Sequence, residues 1–204
     1  MKGKVFIVHA IDTEGPLQEP IEATFERVKE IFGVELEATQ TNLAALQSGS
    51  IDLGEKTNIV KETVSGHRIA TLGSWDKIAK MLSKVSSPDF RNKLQDSSGD
   101  GWKFNWFCLD HIDYDYNPRN RDIGYHKVHD YYTKLVQTDP NFSQDSIQWH
   151  FHPMSTYNDA HRCATHYLRT DHFYQILSRR IIDREFFPSC FRAGFQAERP
   201  DSHW

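Results

Sequence analysis

The chain has 204 residues and a mass of 23.8 kDa. Its 38% apolar and 13% aromatic content argues against intrinsic disorder and supports a single domain, residues 1–204, with its own core. A net charge of −4, a pI near 6.2 and the lack of any block of like charge argue against a nucleic-acid or anionic-membrane surface. The three cysteines, Cys108, Cys163 and Cys190, are odd in number and widely spaced, which argues against a disulfide framework and fits a reducing cytoplasm. No apolar run reaches the length of a membrane span.

In chain order, Val5 to Ile11 is apolar on both faces and reads as a buried parallel strand, with Gly15-Pro16 as its stop. Asp12 and Glu14 stand at its end and share a face if the extended conformation persists. Two acids at the end of a buried strand are costly unless paired or bound to a cation. Pro20 to Phe32 predicts a helix, with Ile21, Phe25, Val28 and Phe32 as its stripe and Gly33 as C-cap. Glu37 to Gln47 predicts a weaker helix, and Ile51 to Ser65 is ambiguous. Ser74 reads as the N-cap of a helix through Lys84, and Pro88 starts a short helical segment. Asp96 to Gly101 is a loop by composition.

Phe104 to Leu109 predicts a second strand, ending in Asp110-His111, again with ionisable groups at a strand end. Asn117-Pro118-Arg119-Asn120-Arg121 is a basic loop that suits either an anionic substrate group or a solvated turn. Asp122 to Val136 predicts a helix, on which His126 and His129 read as packing or capping residues. In Ser146 to His152, alternation sends Ile147, Trp149 and Phe151 one way and Gln148, His150 and His152 the other. The two imidazoles then stand about 6–7 Å apart at the backbone, a spacing from which both can reach one ion. Pro153 cannot donate to a ladder and ends the strand. Thr156 to Arg184 predicts a long helical region broken near Thr170-Asp171. His161 and His166, five apart on it, share no face. Phe187 to Arg192 predicts a short last strand.

Strands alternating with helices, without internal repeat, predict βα units and a largely parallel sheet or barrel. In such folds the strand C-termini share one face, where sites are built. Asp12 and Glu14, His150 and His152, and Arg192 are then brought together. A carboxylate with two imidazoles suits zinc or a similar divalent ion with an open position.

Ile11-Asp12-Thr13-Glu14, Trp149-His150-Phe151-His152-Pro153 and Phe191-Arg192-Ala193-Gly194 occur in the order found in the metal-dependent polysaccharide deacetylase superfamily. The chain resembles a divergent member, similar to putative deacetylases of surface-polysaccharide biosynthesis. The resemblance implies a distorted (β/α) barrel, incomplete at the C-terminus because the chain stops twelve residues after Arg192. It implies Asp12 as catalytic base, Arg192 as the group that orients it, and Glu14, His150 and His152 as ligands of a divalent metal, expected to be Zn2+. It implies hydrolysis of an N-acyl or O-acyl group on a sugar, with an acylated amino sugar or glycan as substrate. Asp110, His111 and Arg119 are candidate substrate contacts. The sequence departs from the family in having Glu as the second acid and histidines two apart instead of four, and no residue matches the family's late general-acid histidine; His203 and His111 are guesses. Two other readings remain open: an inactive glycan-binding barrel, and a hydrolase of another C–N bond such as a cyclic amide or ureide.

Overall fold

A computed structural model describes residues 3–112, 117–152 and 171–194. Pro153, His161, His166, Cys163 and His203, together with the predicted helical stretch 156–170, lie outside the described residues. The chain divides into two compact units, one formed by residues 1–14, 82–114 and 122–204, the other by residues 15–81 and 115–121.

The first unit is built on four parallel strands in the order β1 (His9–Thr13), β2 (Phe104–Asp110), β3 (Ser146–Phe151), β4 (Phe191–Ala193). The expected α/β class with parallel strands is thus borne out, as a curled half-barrel sheet. Strand β1 is shifted from its expected position. Pairing begins at His9 opposite Phe104, where β2 itself begins, and Val5, Phe6, Ile7 and Val8 precede it, 74–87% exposed. An apolar run becomes a buried strand only where a partner runs beside it, and β1 is an edge strand.

Alternation divides the sheet into two faces. Trp106, Cys108, Asp110, Trp149 and Phe151 point to one of them, which is covered by helices. There α7 (Lys127–Thr138) packs on β2 and β3. On α8 (Asp171–Arg184), Ile176 is buried with Trp149 and Phe151, and the Phe173 ring stacks on Trp149 at 4.9 Å. Helix α7 starts later than its sequence suggested, because Gly124 first bridges His111 and His126 enters the helix with φ 63°. At the other end of the strands, Arg91 makes a two-pronged ion pair (2.7 and 2.8 Å) with the buried Asp145 carboxylate. That carboxylate also accepts from the Phe104 N–H and the Trp106 indole, fixing where β2 begins.

The helix-covered face carries a buried polar network. Asp110 accepts both oxygens' worth of bonds from Arg180 Nη2 (2.8 and 2.7 Å), one from the Trp149 indole (2.8 Å) and one from the His126 N–H (2.9 Å). Arg180 is fully buried and also donates to His126 Nδ1. Among the described residues its Nε and Nη1 find no hydrogen-bond partner.

The second unit is helical: α1 (Ile21–Phe32), α2 (Gln40–Ser48), α3 (Thr57–Thr63) and α4 (Gly66–Ile69). Phe25 and Val28 of α1 bury against Leu43 and Leu46 of α2 and against Val60 and Val64. Gly33 closes α1 at φ 66°, as its position after the apolar stripe predicted, and Gly49 closes α2 at φ 78°. Helix α5 (Trp75–Val85) carries the boundary between the units, and α6 (Pro88–Arg91) is capped by the Ser87 hydroxyl. Among the described residues no helix is long and apolar enough to cross a membrane.

Candidate functional site

The face of the sheet opposite the helices carries Asp12 on β1, His150 on β3, His152 just past it and Arg192 on β4. In a flat sheet three strand steps would separate β1 from β4 by about 14 Å. The curl instead brings Arg192 Nε to 3.3 Å from Asp12 Oδ1, so this face is the concave one. The pair is about one-third exposed on each side, which leaves it open to a small molecule.

Parallel register sets His150 opposite Arg192. The His150 ring turns so that Nδ1 lies 2.9 Å from the Arg192 carbonyl oxygen. A carbonyl only accepts, so Nδ1 carries the hydrogen and Nε2 keeps its lone pair. His152 Nε2 lies 2.7 Å from His150 Nε2, nearly perpendicular ring to ring. Two lone pairs at that distance repel, so the His152 Nε2–H donates to His150 Nε2. Burial is the main influence on His150 and pushes its pKa below the ordinary histidine value. The bond to the Arg192 carbonyl and the Asp12 and Glu14 carboxylates pull it back up, and the Arg192 charge pushes it down. His150 is therefore a neutral imidazole with a fixed tautomer, its second nitrogen held by a backbone carbonyl. That is the arrangement of a metal-ligating histidine.

The donor set fits a divalent ion in part. Two imidazole nitrogens converge, and tetrahedral bonds of 2.0–2.1 Å would require them to open to about 3.3 Å. Among the described residues no group of three or more His, Cys, Asp or Glu side chains is arranged to hold a metal. Glu14, expected as third ligand, lies close enough for its charge to act on His150.

Gly194 was not singled out as a site residue in the sequence. A Cβ at this position would lie 2.6 Å from His152 Cδ2, 2.7 Å from its Cγ and 2.7 Å from the Phe151 carbonyl oxygen. The glycine is thus the floor on which the His152 ring rests, a steric role that leaves no pattern in sequence. Gly194→Ala should push the rings apart and cost about 1–3 kcal/mol by overpacking. NMR of the wild type should show a protected, downfield imidazole N–H shared by the pair. Persistence of that signal in the variant would refute the role.

The remaining candidates have other placements. His111 is buried, and its Nε2–H donates to the Glu14 carbonyl at 2.8 Å, so it anchors the end of β1 from within. Asp110 does not join Asp12 and His150. It points to the helix-covered face, and its carboxylate is occupied by Arg180, Trp149 and His126. Arg119 belongs to the second unit, where it lines a cleft. His126 and His129 are buried in packing and capping positions, as expected, and burial pushes His129 down to about 4. Cys108 offers no nucleophile, because burial pushes its thiol up to about 12. Arg180 also escaped the sequence reading. Its spacing from Phe173, Ile176 and Leu177 puts it on the same stripe of α8, which is the signal that could have found it. Comparison of the chain with protein-family models, with curated proteins and with solved structures returned no match.

Proposed function

We propose that the concave sheet face is the active site of a metal-dependent hydrolase that removes an acyl group from an amino sugar, on a barrel of the polysaccharide deacetylase type. The observation that carries this reading is the meeting of Asp12 and Arg192 from opposite edges of the sheet, on the face that also presents His150 and His152. An acid–arginine pair and two converging histidines on one strand-end face give a proton acceptor beside a ligand set.

In this reading His150, His152 and Glu14 hold a divalent ion, with Zn2+ the best match to nitrogen and carboxylate donors. When bound, such an ion supplies Lewis acidity and an acidified water. Asp12 takes the proton from the water that attacks the acyl carbon. Arg192 aims the Asp12 carboxylate through the 3.3 Å ion pair between Nε and Oδ1. The Arg192 carbonyl keeps His150 in the tautomer whose Nε2 carries the lone pair; that lone pair, here accepting from His152, would turn to the ion once His152 gives up its Nε2 hydrogen. The C–N bond then breaks, the acyl group leaves as the carboxylic acid with the water's oxygen, and the amine takes the proton that Asp12 removed from that water. A reducing cytoplasm is the setting we propose, supported by Cys108 and Cys190, both free thiols.

The test is metal content and affinity. Purified protein should bind about one Zn2+ or Co2+ per chain, and His150→Ala should weaken that binding by at least about tenfold. Acetate release from N-acetylated glucosamine oligomers should depend on the added metal. Protein that takes up no divalent ion, or a His150→Ala variant that binds it as tightly, would remove the ligand assignment.

A further inference from the structure

We propose that the second unit carries its own binding site, a cleft for a small organic oxyanion with an apolar body. The cleft has a volume of about 810 Å³, within the range of small-molecule sites. Its apolar wall comes from Pro20, Ile59, Ile69 and Leu72, and Arg27, Arg68 and Arg119 also line it.

The charges decide what it takes. Its two acids are already engaged. Glu19 holds Arg27 side-on, with Nε to Oε1 at 3.1 Å and Nη2 to Oε2 at 2.6 Å, and also accepts from the Thr24 hydroxyl. Glu62 is shared between Arg68 at 3.5 Å and His67 at 3.2 Å. Arg119 has no acidic partner among the described residues, so the cleft keeps an uncompensated guanidinium.

That arginine sits on a pre-built turn. Asn117 Oδ1 accepts from the Arg121 N–H at 2.9 Å, and Asn117 Nδ2 donates to the Arg121 carbonyl at 2.8 Å. The Arg119 carbonyl accepts from the Gln18 N–H at 3.1 Å, and Asn120 Nδ2 donates to Gln18 Oε1 at 2.8 Å. A turn fixed on both sides presents its cation at little ordering cost. Guanidinium is the side chain best suited to phosphate and carboxylate. The apolar wall adds preference for an oxyanion that carries a hydrophobic group.

This proposal is independent of the chemistry assigned to the sheet face and would survive its failure. The probes are inorganic phosphate, phenyl phosphate and benzoate, titrated into the whole chain and followed by NMR. Phenyl phosphate or benzoate should saturate one site, and inorganic phosphate should bind about tenfold more weakly than phenyl phosphate. Phenyl phosphate alone would identify phosphate as the natural group, and benzoate alone would identify carboxylate. Arg119→Gln, at an exposed position, should fold normally and weaken binding by about tenfold or more, with Arg119→Lys between it and the wild type. Failure of both aromatic probes to saturate below about 10 mM, or binding unchanged in Arg119→Gln, would overturn the proposal.

Discussion

Replacing Arg180 by methionine should cost about 3 kcal/mol of stability. The Asp110 carboxylate is 1% exposed, and among the described residues Arg180 is the cation that pairs with it, at 2.7 Å. His126 Nδ1 lies farther off, at 3.8 Å, and burial and the Arg180 charge both hold His126 neutral. Removing one member of a buried pair leaves the other charge stranded, which costs about 3–5 kcal/mol. An opposing effect trims this. Arg180 Nε and Nη1 are buried without partners among the described residues, and each such donor carries a penalty of about 1–3 kcal/mol that methionine abolishes. The net should therefore fall at the lower end of the range. Urea unfolding of the variant measures it. Adding Asp110→Asn to Arg180→Met should recover part of the loss, because the stranded charge is gone while the Trp149 indole keeps an acceptor. A loss below about 1 kcal/mol in the single variant would mean that the pair contributes little net stability.

The second large effect concerns Asp12. Asp12→Asn keeps the shape and a hydrogen-bond acceptor for Arg192 but takes away the proton acceptor. Turnover should fall by about 10²–10⁴-fold, with KM little changed and bound metal retained. Stability should move by less than about 1 kcal/mol, because the Asp12–Arg192 pair is partly exposed and water replaces the lost charge interaction. The combination separates a chemical role from a structural one. Activity within about threefold of wild type would show that Asp12 is not the base.

Much of this arrangement was readable from residues alone, for identifiable reasons. The alternation that puts His150 and His152 together needs only an extended backbone, and β3 supplies it. Parallel strands with chemistry at their C-terminal ends follow from the βα order, and Asp12 and Arg192 do share that face. Alternation also separates neighbours, so Asp110 and His111 could never both face one ligand. Which of them faces inward depends on register with β3, where Asp110 lies opposite Phe151. The offset of β1 was hidden for a similar reason. Val5 to Val8 are as apolar as any strand, and only the starting point of β2 excludes them from the ladder. Gly194 was illegible because its role is a shape fitted to a ring on another strand.

The strand order has a consequence for how the protein reaches its native state. His9 pairs with Phe104, Asn105 with Ser146 and Trp149 with Phe191, so every ladder in the sheet joins residues at least about forty positions apart. High contact order slows folding, because loop-closure entropy is lost before the pairing is gained. The helices of residues 15–81 have their own apolar cluster, drawn from Phe25 to Val64, so they can form before the ladders close. Asp12 is synthesised well before Arg192, its partner 180 positions later. The ion pair at the centre of the proposed chemistry is thus a late-forming contact, and recovery of activity during refolding should lag behind recovery of helical signal.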